Sequence, residues 1–300
     1  MSLMRRPLNV WLRLTQKPHM RRAKTQHDLR RRLELDAKLF FHAPFGTRMQ
    51  SVELGSRTAL RVAAKTSKGD ASVLYFHGGG YVFGSPRTHS AMLAVLSKKL
   101  GSPCLLPQYR LAPEHPFPAA IDDALEAYKA LENPSDVVLG GDSAGGGLVL
   151  ALLGEILRLG LPKPRGAFVF SPLTDFRFRS ESLRDNAEAD VILPAERVEE
   201  MAEQYLGSGD RADPRASPIE ADFTGSPPIW LCAGTTEILL DDSRRMASHL
   251  RSQGITVTEC IEYDLPHVWP LFHNILPEAR HTLEGVSDWI NRLPRPANES

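Results

Sequence analysis

A chain of 300 residues suits one large α/β domain or two small ones, with ample length to bury a core. A hydrophobic fraction of 42% and a charged fraction of 24% are those of an ordinary soluble globular protein. A formal net charge of zero removes any global pull toward nucleic acid. No apolar stretch reaches the ~20 residues of a membrane span.

The charge is unevenly spread. Arg5, Arg6, Arg13, Lys17, Arg21, Arg22, Lys24, Arg30, Arg31 and Arg32 crowd the first tenth of the chain, with Asp28 as the acidic counterweight. Such a run reads as a solvated helix face, with a membrane-surface or anionic-partner role as the alternative. Val10-Trp11-Leu12 is too short for a signal-peptide core and Arg13 interrupts it, whereas composition alone leaves a mitochondrial presequence open. Leu8, Trp11, Leu12, Leu29, Leu33, Leu39 and Phe40 recur at roughly helical spacing, which predicts two or three helices before any strand.

Val52-Glu53-Leu54 and Leu60-Arg61-Val62 alternate about Gly55-Ser56 and predict a hairpin. Val73 to Phe76 is a continuous apolar run, hence a buried strand. It ends in His77-Gly78-Gly79-Gly80-Tyr81, where backbone N–H groups can approach a ligand without interference from Cβ atoms. An acyl-transfer enzyme needs such donors for its tetrahedral oxyanion, and this tetrad is a known oxyanion loop of lipases and esterases. His77 reads as a brace for the loop rather than as a base. A helix over Thr88 to Leu100 closes at Gly101, and Cys104-Leu105-Leu106 is the next strand. The proline-rich stretch from Tyr109 must be irregular up to a helix beginning near Ala119.

Val137-Val138-Leu139 then runs into Gly140-Gly141-Asp142-Ser143-Ala144-Gly145-Gly146-Gly147, and an apolar helical run from Leu148 to Leu159 follows. Strand, Gly-x-Ser-x-Gly and helix together form the context of a nucleophile elbow, with Ser143 at its tip. A glycine-rich turn with a capping serine would have the same local pattern, but a phosphate loop would need a following Gly-Lys-Ser/Thr. Strand-like Phe168 to Phe170, Ile229 to Ala233 and Val257 to Tyr263 alternate with helices over Asp242 to Gln253 and Leu276 to Leu293. This alternation predicts a mostly parallel sheet covered on both faces. Residues 173 to 215 break the rhythm and read as an insertion, with a helix from Glu196 to Leu206. Cys104, Cys232 and Cys260 lie in strand-like runs and read as buried hydrophobes in a reducing, cytoplasmic compartment. No metal-ligand spacing is present, so no metal is expected.

His77-Gly78-Gly79-Gly80, Tyr109-Arg110-Leu111-Ala112-Pro113-Glu114-His115-Pro116-Phe117-Pro118 and Gly141-Asp142-Ser143-Ala144-Gly145-Gly146 resemble the motifs of the hormone-sensitive-lipase-like α/β-hydrolases, best the bacterial Gly-Asp-Ser-Ala-Gly carboxylesterases. The likeness runs from about Val73 to Trp269; Gln108 departs from it where many members carry Asp. It implies an α/β-hydrolase fold with an eight-stranded sheet, a helical cap, no cofactor, and hydrolysis of short- to medium-chain carboxylic esters. The implied division is 1–45 as the N-terminal part of the cap, 46–172 and 216–300 as the catalytic core, and 173–215 as the cap insertion. The implied oxyanion donors are the N–H groups of Gly78, Gly79 and Ala144, and a homodimer through the last strand is a family habit. Pocket walls are expected from Phe176, Phe178, Tyr205 and Trp11, with packing of cap on core as the alternative role.

Chain order places the acid and then the base after the serine. His267 follows the last strand, on the edge of a parallel sheet where ligands bind, whereas His249, His273 and His281 lie in or near helices. For the acid, the family pattern Gly-x-x-Asp-x-Leu-x-Asp falls on Gly234 to Asp241, so Glu237 occupies the catalytic position. Asp241 is the alternative, although it has a structural task available as the cap of the next helix, with Asp242 in its first turn. The same triad would serve a lactone hydrolase or an amide deacetylase. A non-catalytic ligand receptor on this fold would lack the serine or the histidine.

Overall fold

The computed structural model describes residues 2–70 and 72–294; Met1, Ala71 and residues 295–300, the ends of the expected first and last segments included, lie outside the described residues. Two helices, α1 (Arg5–Arg22) and α2 (Gln26–Phe40), precede the sheet. The second starts at a capping box in which Thr25 and Asp28 satisfy each other's backbone N–H. The hairpin forms as the alternation predicts, from β1 (Arg48–Leu54) and β2 (Arg57–Ala63). The buried run is β3 (Val73–Phe76), followed by α3 (Pro86–Leu100), which Ser85 caps and Gly101 ends at φ 69°.

Next come β4 (Cys104–Pro107), α4 (Ala119–Lys129), β5 (Val138–Asp142) and α5 (Ser143–Arg158). They are followed by β6 (Gly166–Phe170), α6 (Ser182–Asp185), α7 (Val198–Leu206), β7 (Ile229–Gly234), α8 (Leu240–Ser252), β8 (Val257–Glu262) and α9 (Pro277–Arg292). The strands form one eight-stranded sheet in the order β1-β2-β4-β3-β5-β6-β7-β8. The pairs β1·β2 and β2·β4 are antiparallel; every pair from β4·β3 to β7·β8 is parallel. The mostly parallel sheet is the one the strand–helix alternation predicts, and its eight strands agree with the α/β-hydrolase fold that the resemblance implies.

Alternate residues of each strand feed two cores. Leu74, Phe76, Leu139 and Leu231 pack with α4, α5 and α8 on one face, whereas Val73, Tyr75, Val138 and Trp230 pack with α3 and α9 on the other. Cys104 and Cys232 are buried among these residues, but Cys260 is only half-buried, because β8 is an edge strand. The loops after β3, β5, β6, β7 and β8 all leave the same edge of the sheet, which is where a doubly covered parallel sheet places its ligand site.

Residues 171–217 lie at that edge and are pinned to α8. Asp242 lies in the first turn of α8 as expected, but Asp241 does not cap the helix. The helix starts at Leu240 without a side-chain cap, Asp241 accepts the Ser182 N–H at 2.9 Å, and buried Asp242 accepts the Thr174 N–H at 2.7 Å. Their carboxylates satisfy backbone donors of the insertion rather than the first N–H groups of their own helix, since donors of a buried loop need partners.

Candidate active site

The elbow is a steric necessity. Ser143 sits at φ 53° between strand and helix. A Cβ on Gly141 would collide with the Gly145 carbonyl, and one on Gly145 with the Phe76 and His77 carbonyls. Only glycine fits either place, so the serine is left at the first position of α5, beside N–H groups that have no acceptor within the helix.

Glu237 and His267 come from the loops after β7 and β8 and meet with Nδ1 2.7 Å from Oε2. Both are nearly inaccessible, at 1% and 6% exposure. The other carboxylate oxygen, Oε1, accepts the Ser171 hydroxyl at 2.9 Å and the Gly234 N–H at 2.5 Å. Oε2 is thereby left to the imidazole. Ser171 also accepts the Val268 N–H at 3.3 Å and so ties the histidine loop to the acid. Burial pushes the His267 imidazolium pKa down. The hydrogen bond and charge of Glu237, with Asp190 and Asp142 behind it, outweigh that and hold the group above its ordinary 6.5. Asp241, the alternative acid, is engaged with Ser182 and makes no contact with His267.

One expected oxyanion donor is otherwise employed. The Gly78 N–H donates to Asp142 Oδ1 at 3.0 Å. That carboxylate is buried, accepts the Tyr75 hydroxyl at 2.8 Å and faces His89 Nε2 at 3.2 Å. Burial would raise the Asp142 pKa, but His89, Tyr75 and His77 together hold it below its usual value. An ionised Asp142 keeps the Gly78 amide occupied. Among the described residues the N–H groups of Gly79 and Gly80 donate to no protein acceptor. The free donors therefore sit one residue further along the glycine run than the motif register suggests.

His77 braces this loop. Its Nδ1 lies 2.8 Å from the Gly78 carbonyl, its ring stacks on Tyr109 with centroids 4.5 Å apart, and the Tyr109 hydroxyl donates to the His77 carbonyl at 2.7 Å. Burial pushes its pKa down to about 3, so the ring is neutral. Arg110 next door clamps Asp123 of α4, and exposed Gln108 stands outside the cavity.

A cavity of about 170 Å³ opens over these groups, lined by Ser143, His267, Gly78, Gly79 and Gly80. Its other walls are largely apolar and come from both ends of the chain: Trp11, Leu29, Phe40, Phe176, Phe178, Met201 and Phe272 among them. Three of the four expected wall residues take their places. Tyr205 does not: it lies behind the wall, stacked on Tyr81 at 3.8 Å, where it joins α7 to the glycine loop. Ser171 and Asp190 contact the acid and histidine loops and are residues that the motifs did not single out. The available signal for Ser171 was its position just past a parallel strand.

Comparison with known proteins identifies the family and the fold. A family profile described as "alpha/beta hydrolase fold" matches residues 73–271, which defines the class. An acetyl-hydrolase of Streptomyces hygroscopicus is 37% identical over 73% of this chain and 75% of its own length. An esterase of Acinetobacter venetianus is 33% identical over 74% and 75%. The crystal structure of an esterase from the bacterial hormone-sensitive lipase family superposes with a TM-score of 0.91 at 34% identity, covering 98% of this chain and 99% of that one. The esterase EstE5, soaked with p-nitrophenyl butyrate, gives 0.90 at 36% over 97% and 98%. The chain belongs to the hormone-sensitive-lipase-like family of α/β-hydrolases.

Proposed function

We propose that this chain is a serine carboxylesterase that hydrolyses short- to medium-chain carboxylic esters through an acyl-enzyme. The observation that carries the reading is the buried 2.7 Å Glu237–His267 pair, facing the cavity that Ser143 also lines. In this reading His267 takes the Ser143 proton as the hydroxyl attacks the ester carbonyl. The oxyanion is met by the N–H groups of Gly79, Gly80 and Ala144, each worth about 3–4 kcal/mol to the transition state. His267 then gives its proton to the departing alcohol, and water repeats the attack to release the acid. Glu237 holds the imidazole tautomer and offsets the positive charge that forms on it. No cofactor or metal enters these steps.

The ester assignment draws on the acetyl-hydrolase and esterase relatives and on the apolar walls of the cavity. In the same proposal α1, α2 and residues 173–215 form a cap over the core. Buried contacts between them support it, such as Lys17 Nζ donating to the Ala187 and Asp190 carbonyls at 2.6 and 2.7 Å. The unpaired edge of β8 suits a homodimer, and three free cysteines suit the cytoplasm. Among the described residues no helix is long and apolar enough to cross a membrane.

The test is a panel of p-nitrophenyl acyl esters beside lactones and acyl anilides, run on wild type and Ser143→Ala. Ester turnover should dominate, and the variant should lose about 10⁶-fold in kcat. Dominant lactone or anilide turnover would move the substrate class while keeping the triad. Substantial turnover by Ser143→Ala would overturn the mechanism itself.

A further inference from the structure

Residues 2–45 carry eleven Lys and Arg against three Asp and Glu, on a chain whose formal charge is zero. The molecule is therefore polarised, with a positive end at α1 and α2 and a negative body. Arg6, Arg22, Lys24, Arg31 and Lys38 pair with no carboxylate among the described residues. At the junction of the two helices, His19, Arg22, Lys24, Arg31 and Arg32 ring an open bowl of about 450 Å³, in which Asp28 is the one carboxylate.

The same helices expose apolar side chains. Of the ten large hydrophobic residues that stand exposed among the described residues, seven fall between Leu3 and Phe45, so the exposure is a property of this end rather than of the described surface at large. Val10 and Leu14 follow one another at helical spacing along the outer side of α1, with exposed Leu3 just before the helix, and Leu35 and Leu39 do so on α2; Leu14 and Leu39 are 70% and 64% exposed. Arg6 flanks the first stripe, Arg31 and Lys38 the second. A face that mixes outward leucines with unpaired cations matches a lipid interface, where side chains of the first kind enter the acyl boundary and those of the second meet anionic headgroups. A nucleic acid or an acidic soluble partner would use the cations and leave the leucines in water.

We propose that the outward face of α1 and α2 docks reversibly on an anionic phospholipid surface. His19 and Arg32 line both the bowl and the active-site cavity, so docking sets the mouth of the cavity against the lipid phase. A lipophilic ester dissolved in that phase then reaches Ser143 without crossing bulk water.

The experiment is co-sedimentation of the full chain with vesicles of phosphatidylcholine alone and of equal parts phosphatidylcholine and phosphatidylglycerol. It does not depend on ester hydrolysis. Wild type should sediment with the mixed vesicles, less so as salt rises, and stay in solution with the zwitterionic ones. Arg22→Glu/Arg31→Glu and Leu14→Asp/Leu39→Asp should each lower affinity for mixed vesicles by more than about tenfold. Their kcat/KM on a soluble acetate ester should remain that of wild type, because none of these four residues lines the active-site cavity. Failure of wild type to sediment, or unchanged binding by either variant, would overturn the proposal. So would a smaller hydrodynamic size for the Leu14→Asp/Leu39→Asp variant, which would make this face a contact between copies of the chain. Binding to duplex DNA that the leucine changes leave intact would also overturn it.

Discussion

Glu237 is one methylene longer than aspartate, and Ser171 and the Gly234 N–H fix where its extra length goes. They hold Oε1, so Oε2 presents a single lone pair to His267. Glu237→Gln should lower kcat on the order of 10⁴-fold, as an acid-to-amide change in a triad does, with the fold intact. The pH profile supplies a second readout. His267 works as a base only when neutral, and its pKa lies above 6.5, so the acid limb of wild-type kcat/KM should inflect above that value. With the carboxylate gone, burial becomes the dominant influence and the limb should move to lower pH. An unmoved limb would show that Glu237 does not face the titrating imidazole. For stability the sign is opposite. A raised histidine pKa favours the folded state below the unfolded value, and this contribution fades as pH rises through the folded one. Ser143 and Glu237 were singled out by their places in local patterns, and His267 by its place after the last strand. Ser171 was not legible, since its partners are 66 and 97 residues away. The hydrogen bond from the Gly78 amide to Asp142 was hidden for the same reason, as nothing local announces it.

At the scale of elements, α1 does more than cover the cavity. Arg5 and Asn9 hold the histidine loop, through the Tyr263 carbonyl at 3.0 Å and the Asp264 carbonyl at 3.1 Å. One to two turns further on, Arg13 and buried Lys17 grip the carbonyls of residues 187–190. That turn in turn holds the acid loop: Asp190 accepts the Ile238 N–H at 3.0 Å, and Asn186 donates to the Glu237 carbonyl at 2.8 Å. One helix therefore braces two triad loops. Burial lowers the Lys17 pKa, and its two carbonyl partners are what make an ammonium tolerable there. Lys17→Met keeps the stem and removes the donors. It should reduce kcat with little change in KM, because the pocket walls stay while the acid loop loosens. Deleting residues 1–40 removes the brace and uncovers Leu8 and Leu12's apolar bed, so it should impair both activity and solubility. A soluble, fully active truncation would mean that the two loops hold themselves. The sequence announced α1 as amphipathic and basic, but which cations are solvated and which grip a loop depends on chain that arrives 170 or more residues later.

At the scale of the whole molecule, the chain closes on itself around the cavity. Residues near its start, the segment after β6 and the stretch after β8 each supply a wall, so cavity length is set by how the two ends of the chain pack. Sequence patterns gave the apolar character of those walls but not their spacing, which explains why Tyr205 was expected at the surface of the cavity and lies behind it. An apolar, bounded cavity makes a definite prediction for an acyl series. Each methylene that finds wall to bury against contributes about 0.8 kcal/mol, close to fourfold in kcat/KM. The constant should therefore climb by about that factor per methylene from acetate toward butyrate and beyond, then level and fall once the chain meets the far wall. Long-chain esters such as palmitate should be poor substrates even when well dispersed. Trp11 stands in the wall with its ring 5.1 Å from Phe40, so Trp11→Ala lengthens the space available and should move the optimum to longer acyl chains. The shift should appear in the ratio of octanoate to butyrate turnover, with the Ser143 chemistry untouched. Palmitate turned over as well as butyrate by wild type would contradict a bounded cavity, and an optimum that Trp11→Ala leaves in place would show that the far wall lies elsewhere.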